Sequence, residues 1–271
     1  MLDMLEVIEK ESIDSIITDP PYELNFMGKG WDNSGIAFQP DTWRKCYEAL
    51  KEGGYLLAFG GSRTFHRIAC AIEDAGFEIR DTIMWLYGSG FPNTKTGNVK
   101  PHINNGNKKI NIFNSSNITG NHIGDSGSAS RYFYCAKASK KDRDEGLDEF
   151  EEKIGGGMLG TQDQSLLTGS GNVRNNLRKN THPTVKPTEL MQYLVRLVSP
   201  DGATILDPFN GSGSTGKAVL YENKERNKNY KYIGIELTEE YLPISKARIE
   251  YVCNLEPEKE NQTNIFDFIG E

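Results

Sequence analysis

The segment Ala203-Thr204-Ile205-Leu206-Asp207-Pro208-Phe209-Asn210-Gly211-Ser212-Gly213-Ser214-Thr215-Gly216-Lys217 decides the fold. An apolar run stops at an acid and a proline, a glycine-rich turn follows, and Lys217 to Tyr221 open a helical pattern. Pro208 cannot donate to a sheet ladder, so the strand ends at Asp207. Gly211, Gly213 and Gly216 have G-x-G-x-x-G spacing, and Glu236 closes the next apolar run, Tyr230 to Ile235. Between a strand and a helix such a turn brings backbone close to a ligand, and the later acid bonds a ribose hydroxyl pair. The pattern predicts a site for an adenosine-bearing cofactor. Gly211 to Lys217 also has the spacing of a phosphate-binding loop, but Ala218 stands where the magnesium-binding Ser or Thr belongs.

A second corner of the same kind lies near the N-terminus, in Ser15-Ile16-Ile17-Thr18-Asp19-Pro20-Pro21-Tyr22. The prolines end the strand at Asp19 and leave a carboxylate, a free carbonyl and a phenol ring at its carboxyl end, where open α/β sheets bind ligands. The Asp19 carboxylate beside the Pro20 carbonyl is a pair of acceptors suited to an exocyclic amine, and Tyr22 adds a flat face. An amine held through both hydrogens has its lone pair turned out of conjugation and becomes a better nucleophile. Alone, the tetrapeptide also reads as a strand-terminating turn with a surface tyrosine.

Together the two corners favour S-adenosylmethionine over a nicotinamide cofactor. Asp207 is an acceptor for the ammonium of an amino-acid moiety, Phe209 is placed to pack beside the cofactor, and an amine-gripping site serves a methyl donor rather than a hydride carrier.

Outward from these corners the chain alternates strands and helices. A helical pattern runs from Thr42 to Lys51, a strand from Tyr55 to Phe59, a helix from Ser62 to Gly76, and one or two strands from Phe77 to Tyr87. After the interruption described next, a helix spans Thr188 to Val198 and another follows Thr238 to about Val252. This is the crossover pattern of a parallel sheet with helices on both faces.

From about Gly88 to Asn180 the pattern dissolves into Gly, Asn, Ser and Lys, a length that marks a functional or disordered insertion. Residues 91–143 carry nine Lys and Arg against two acids, in a chain of net charge −7. Such a local basic patch suits phosphate backbones, and a solvated loop is the alternative. The overall acidity excludes a wholly basic nucleic-acid binder. Four scattered cysteines and four scattered histidines predict neither a disulfide framework nor a metal centre. No apolar stretch reaches membrane-spanning length, so a cytoplasmic protein is expected.

With both motifs in one chain, the sequence resembles the amino-methylating DNA methyltransferases that modify adenine N6 or cytosine N4. In that family Asp-Pro-Pro-Tyr is the catalytic tetrapeptide and Asp-Pro-Phe-x-Gly-Ser-Gly the cofactor loop. Here the catalytic motif comes first, then the long insertion, then His182-Pro183-Thr184-Val185-Lys186-Pro187, then the cofactor loop. That order resembles the permuted β class. Phe26-Met27-Gly28-Lys29 and Ser128-Ala129-Ser130-Arg131-Tyr132-Phe133-Tyr134-Cys135-Ala136-Lys137 are similar to a phage and prophage branch of it.

The resemblance implies a Rossmann-like, circularly permuted α/β methyltransferase sheet of seven mostly parallel strands. Its catalytic half is expected over 1–90, a target-recognition insertion over 91–180, the cofactor half over 181–255 and a tail over 256–271. It implies transfer from S-adenosylmethionine to the N6 amine of a flipped adenine in double-stranded DNA. Asp19, Pro20, Pro21 and Tyr22 would be catalytic. Asp3, Asp19, Lys186, Asp207, Pro208, Phe209, Asn210, Gly211, Ser212, Gly213 and Glu236 would surround the cofactor, and Lys29, Arg131, Lys137, Lys140 and Lys141 would meet DNA. Asp at the head of the tetrapeptide favours adenine; cytosine N4 enzymes more often carry Ser there. Cytosine-N4 transfer and a catalytically impaired DNA-binding homologue are the alternatives. Leu2-Asp3 stands where the family usually has a further strand and Gly-Asp, which implies a shortened or unusual start with Asp3 keeping the contact to the cofactor adenine.

Homodimerisation is left open. Gln262-Thr263-Asn264-Ile265-Phe266 resembles short peptides that dock on bacterial sliding clamps, and a tail packing on its own domain is the alternative.

Overall fold

The computed structural model describes residues 5–24, 30–87, 132–154 and 177–255. Asp3, Lys29, Arg131 and the 262–266 peptide lie outside them. The chain divides into one compact unit of Met1–Arg80 with Cys135–Glu271, and a second of Asp81–Tyr134. Residues 135–154, which the sequence reading assigns to the insertion, belong to the first.

The first unit is built on four parallel strands. β1 (Ile13–Thr18) pairs on one side with β2 (Leu50–Ala58) and on the other with β7 (Thr204–Asp207), which in turn pairs with β8 (Lys231–Gly234). The order is β2-β1-β7-β8. β1 is almost wholly buried, with Ile13, Ser15, Ile16, Ile17 and Thr18 all at 0% exposure. That continuous burial is what a parallel strand covered on both faces requires. At the start of β1 the Asp14 carboxylate accepts from Thr204 N at 2.8 Å and from Lys51 Nζ at 2.7 Å, which ties three strands in register.

One helical layer contains α1 (Pro40–Ala49) and α2 (Phe65–Asp74). Their Trp43, Cys46, Ile68 and Ile72 join Ile13, Ile16 and Leu206 in a core cluster. A second set contains α4 (Thr188–Val198), α5 (Ser214–Arg226) and α6 (Leu242–Asn254), with α4 packed on α5 and α5 on α6. Apolar residues of α4 at helical spacing, Leu190, Met191, Leu194 and Val195, are all buried. A short helix, α3 (Lys140–Asp144), is N-capped by Ser139, whose hydroxyl accepts from Asp142 N at 3.1 Å. It precedes a small antiparallel pair, β5 (Lys153–Ile154) and β6 (Leu177–Arg178). No described helix is long and apolar enough to cross a membrane.

In the second unit β3 (Met84–Leu86) pairs in parallel with β4 (Tyr132–Tyr134). Of the stretch Phe77 to Tyr87, expected as strand, only β3 forms one. The expected helix over Thr42–Lys51 ends at Ala49, because Leu50 is already extended and paired opposite Ile13.

Candidate active site

The two Asp-Pro corners sit at the carboxyl ends of neighbouring parallel strands, β1 and β7, where the sheet opens toward ligands. At the first corner Pro20 and Pro21 are buried and the Asp19 side chain is 19% exposed. Tyr22 OH donates to Asp19 Oδ1 at 2.9 Å, and the Lys186 ammonium donates to Asp19 Oδ2. Both carboxylate oxygens are therefore clamped. The Lys186 ammonium also lies 5.7 Å from the centre of the Tyr22 ring and 5.1 Å from that of Phe59, within cation–π range. A carboxylate and two aromatic faces thus enclose a charged amine supplied by the protein itself. Thr64 Oγ1 donates to the Tyr22 carbonyl at 2.8 Å, fixing the turn from the loop before α2. Gly61 permits the approach: a Cβ there would stand 3.0 Å from the Tyr22 ring.

At the second corner Asp207 faces inward and is 3% exposed. Its Oδ1 accepts from Thr18 Oγ1 at 2.7 Å and Phe209 N at 3.1 Å, and its Oδ2 from Thr215 Oγ1 at 2.6 Å. The carboxylate joins the end of β1, the exit of β7 and the first turn of α5. Burial pushes its pKa up to about 6, against the opposing effect of these hydrogen bonds, and the Asp19 charge adds to the rise.

Pro208 and Asn210 are buried, and Phe209 is half-buried, tilted at 48° against Trp43 with ring centres 6.2 Å apart. Asn210 Oδ1 accepts from Tyr232 OH at 2.6 Å. Glu236, just past β8, accepts from Gly211 N at 2.6 Å and from Thr238 N at 2.7 Å, which places its carboxylate against the glycine turn. Gly211 and Gly213 both have positive φ, at 53° and 73°. At Gly213 the left-handed backbone starts α5, and a Cβ would stand 3.0 Å from the Ser245 side chain. Ser212 is buried beneath the turn.

His182 stacks at 12° to Trp31, with centres 6.4 Å apart, and meets Tyr241 edge-on at 4.5 Å, while its carbonyl accepts from Arg143 at 2.7 Å. Lys217, in phosphate-loop position by spacing, is fully buried and ion-paired with Asp142 at 2.9 Å and Glu145 at 2.6 Å, so its charge is spent inside the protein. Lys137, Lys140 and Lys141 are exposed, with Lys140 paired to Glu152. Sequence reasoning did not identify Thr18, Thr64, Phe59 or Thr215 as parts of the site. Thr18 and Thr215 lie within the two quoted stretches, and their hydroxyls near a strand-ending acid were the available signal.

The family model for N6/N4 methyltransferases, described as DNA methylase, matches residues 13–247. The chain belongs to this DNA methylase family. Among its relatives, the Type II methyltransferase M2.LlaDCHI of Lactococcus lactis subsp. cremoris is 26% identical over 266 residues, 91% of this chain and 85% of that protein. Type II methyltransferase M2.DpnII of Streptococcus pneumoniae is 26% identical over 280 residues, 96% of this chain and 88% of that protein. The solved PvuII DNA methyltransferase (cytosine-N4-specific) shares the fold, with a TM-score of 0.53 and 16% identity over 95% of this chain and 85% of that one. As a DNA methylase, this chain is an amino-methyltransferase acting on DNA, and its mostly parallel, helix-covered sheet is the Rossmann-like fold expected.

Proposed function

We propose that this DNA methylase transfers a methyl group from S-adenosylmethionine to the N6 amine of an adenine flipped out of double-stranded DNA, at a specific sequence. The observation that carries the reading is the Asp19 corner, where a clamped carboxylate and the Tyr22 and Phe59 faces already hold an amine.

The residues of the second corner fit the cofactor. Glu236 presents an acceptor at the end of β8 for a ribose diol, beside the left-handed turn at Gly211 and Gly213. Asn210, Ser212, Pro208 and Phe209 shape that turn. Asp207, only 3% exposed and bonded by Thr18, Thr215 and Phe209 N, holds the turn from behind. S-adenosylmethionine bound there supplies an electrophilic sulfonium methyl group.

Asp19 and the Pro20 carbonyl each accept one hydrogen of the target amine, and Tyr22 stacks on the base. This orients the nitrogen lone pair toward the methyl group, and positioning provides most of the acceleration. The new N–C bond forms as the S–C bond breaks; the nitrogen then sheds a proton toward Asp19 and on to solvent. Lys186, lodged on Asp19 Oδ2, shares the carboxylate with the base when it enters. Exposed Lys137 and Lys141 would meet phosphates, which position DNA without reading its sequence. The motif order supports a permuted, β-class arrangement, with the catalytic strand β1 preceding the cofactor strand β7 in the chain.

Adenine rests on the acid at the head of the tetrapeptide. The test is incubation with labelled S-adenosylmethionine and mixed-sequence double-stranded DNA, with Asp19→Ala as control, then digestion to nucleosides. Label in N6-methyladenine that vanishes in the variant is expected. Label in N4-methylcytosine would keep the mechanism and replace the substrate. No label with cofactor binding intact would point to the impaired homologue.

A further inference from the structure

A buried charge cluster lies behind the glycine turn and takes no part in the chemistry above. Lys217 and Arg248 are both fully buried, one on α5 and the other on α6. Arg248 Nη1 donates to the Ser212 carbonyl at 2.7 Å, to Ser212 Oγ at 3.2 Å and to Ser214 Oγ at 3.3 Å, and its Nη2 donates to the Asp142 carbonyl at 3.1 Å. Lys217 Nζ donates to the same carbonyl at 3.1 Å and to Asp142 Oδ1 at 2.9 Å. Asp142 also receives Thr188 N at 3.0 Å and Thr188 Oγ1 at 2.5 Å, so it caps α4 two residues after Lys186.

Burial pushes the Asp142 carboxyl up, yet the Lys217 charge and the Thr188 bonds outweigh it and hold it below its ordinary value. For Arg248 burial dominates and lowers its pKa to about 10. Arg248 Nε is buried without a partner among the described residues. Buried ion pairs of this kind rarely stabilise a fold more than apolar side chains of the same volume would. What a planar guanidinium does better is fix the atoms it forks between. Those atoms are the Ser212 and Ser214 segment of a turn whose glycines are left-handed, with Asp142 as the fixed abutment.

We propose that Arg248, braced by Asp142 and Lys217, is the positioning residue that sets the 211–214 turn for cofactor binding. The inference rests on the reading of this turn as the S-adenosylmethionine site. It predicts a selective effect: loss of the fork loosens the turn and weakens the cofactor while leaving the DNA surface and the Asp19 corner as they were.

The experiment compares full-length wild type, Arg248→Met and Arg248→Lys by calorimetric titration with S-adenosylmethionine, by steady-state methylation and by thermal melting. In Arg248→Met the cofactor Kd and KM should rise about tenfold, within the coupling range of residues that act through another. The KM for DNA should stay within about twofold, and kcat at saturating cofactor should change less than KM. Arg248→Lys, with a single point of donation, should fall between the two. Cofactor affinity within twofold of wild type in folded Arg248→Met overturns the proposal. So does a kcat that falls in step with the melting temperature while both KM values hold, because that describes a purely structural residue. Should Arg248→Met not fold, Arg248→Lys decides alone, with about threefold weaker binding expected and unchanged binding fatal. A wild type that binds no S-adenosylmethionine would instead overturn the reading of the turn itself.

Discussion

Two neighbouring parallel strands end in the same dipeptide, Asp-Pro, and leave the two acids in opposite surroundings. Asp19 ends β1 with its side chain 19% exposed and held by the side chains of Lys186 and Tyr22. Asp207 ends β7 with its carboxylate turned inward onto the buried Thr18 and Thr215 hydroxyls and the Phe209 amide. A strand-ending acid is therefore not a functional signal by itself. What surrounds it decides whether it meets a substrate or braces the fold.

The contrast breaks most visibly by deletion. Asp19→Ala should lower methyl transfer by about 10²–10³-fold, the range for losing one preorganised polar group at a reacting centre. The protein should stay folded. Asp207→Ala should lose structure before chemistry, since it strands two buried hydroxyls and an amide. Methylation rates and denaturant melts on both variants check the pair, and equal losses of activity at equal stability would erase the distinction.

The next largest effect separates the acids by pH. Asp207 titrates near pH 6 in the folded protein, above its ordinary value of 3.8. Its contribution to stability is thus fully present below pH 3.8 and is lost as pH rises through about 6. A shift of this size corresponds to about 3 kcal/mol. Asp207→Asn removes the titration, so relative to wild type it should gain stability between pH 4 and pH 7. Paired urea melts across that range measure the difference, and parallel curves would mean that Asp207 does not titrate as its burial requires.

Much of this division was legible in sequence, and the remainder has a physical reason for being silent. Proline and glycine punctuation located β1, β7 and the turn after β7, because those residues restrict the backbone whatever surrounds them. Strand β2 begins at Leu50 rather than Tyr55, since Leu50 already pairs with Ile13 and Lys51 to Gly54, of turn composition, fall in the register shift before Tyr55 meets Ser15. The inward turn of Asp207 depends on Thr18, 189 residues away in sequence, and the brace behind the glycine turn joins Asp142 to Lys217 and Arg248 across 75 and 106 residues. No periodicity encodes such partners; they exist only once the strands are aligned.

Lys186 sharpens the comparison from the side of Asp19. Its ammonium is the one group that clamps Asp19 Oδ2 among the hydrogen bonds described. Lys186→Met keeps the stem packed beside Tyr22 and Phe59 but frees that oxygen. Methylation kcat/KM should fall about tenfold, the scale on which slight misplacement of a reacting group is felt. An unchanged kcat/KM would mean that Tyr22 and the buried prolines hold the carboxylate unaided.

The smallest effect expected comes from Tyr22→Phe, and it tests how that clamp divides. The substitution deletes the 2.9 Å hydrogen bond to Asp19 Oδ1 and keeps the ring. A hydrogen bond of this kind is worth about 0.5–1.5 kcal/mol, so a loss of about three- to tenfold in kcat is expected, toward the lower end because Lys186 still holds the other oxygen. Tyr22→Ala removes the ring as well, and base stacking adds about 1–3 kcal/mol. If the ring stacks on the target base, Tyr22→Ala should lower kcat/KM well beyond Tyr22→Phe. If its hydroxyl on Asp19 is the main contribution, the two variants should coincide, and the aromatic face at this corner would belong to Phe59 instead.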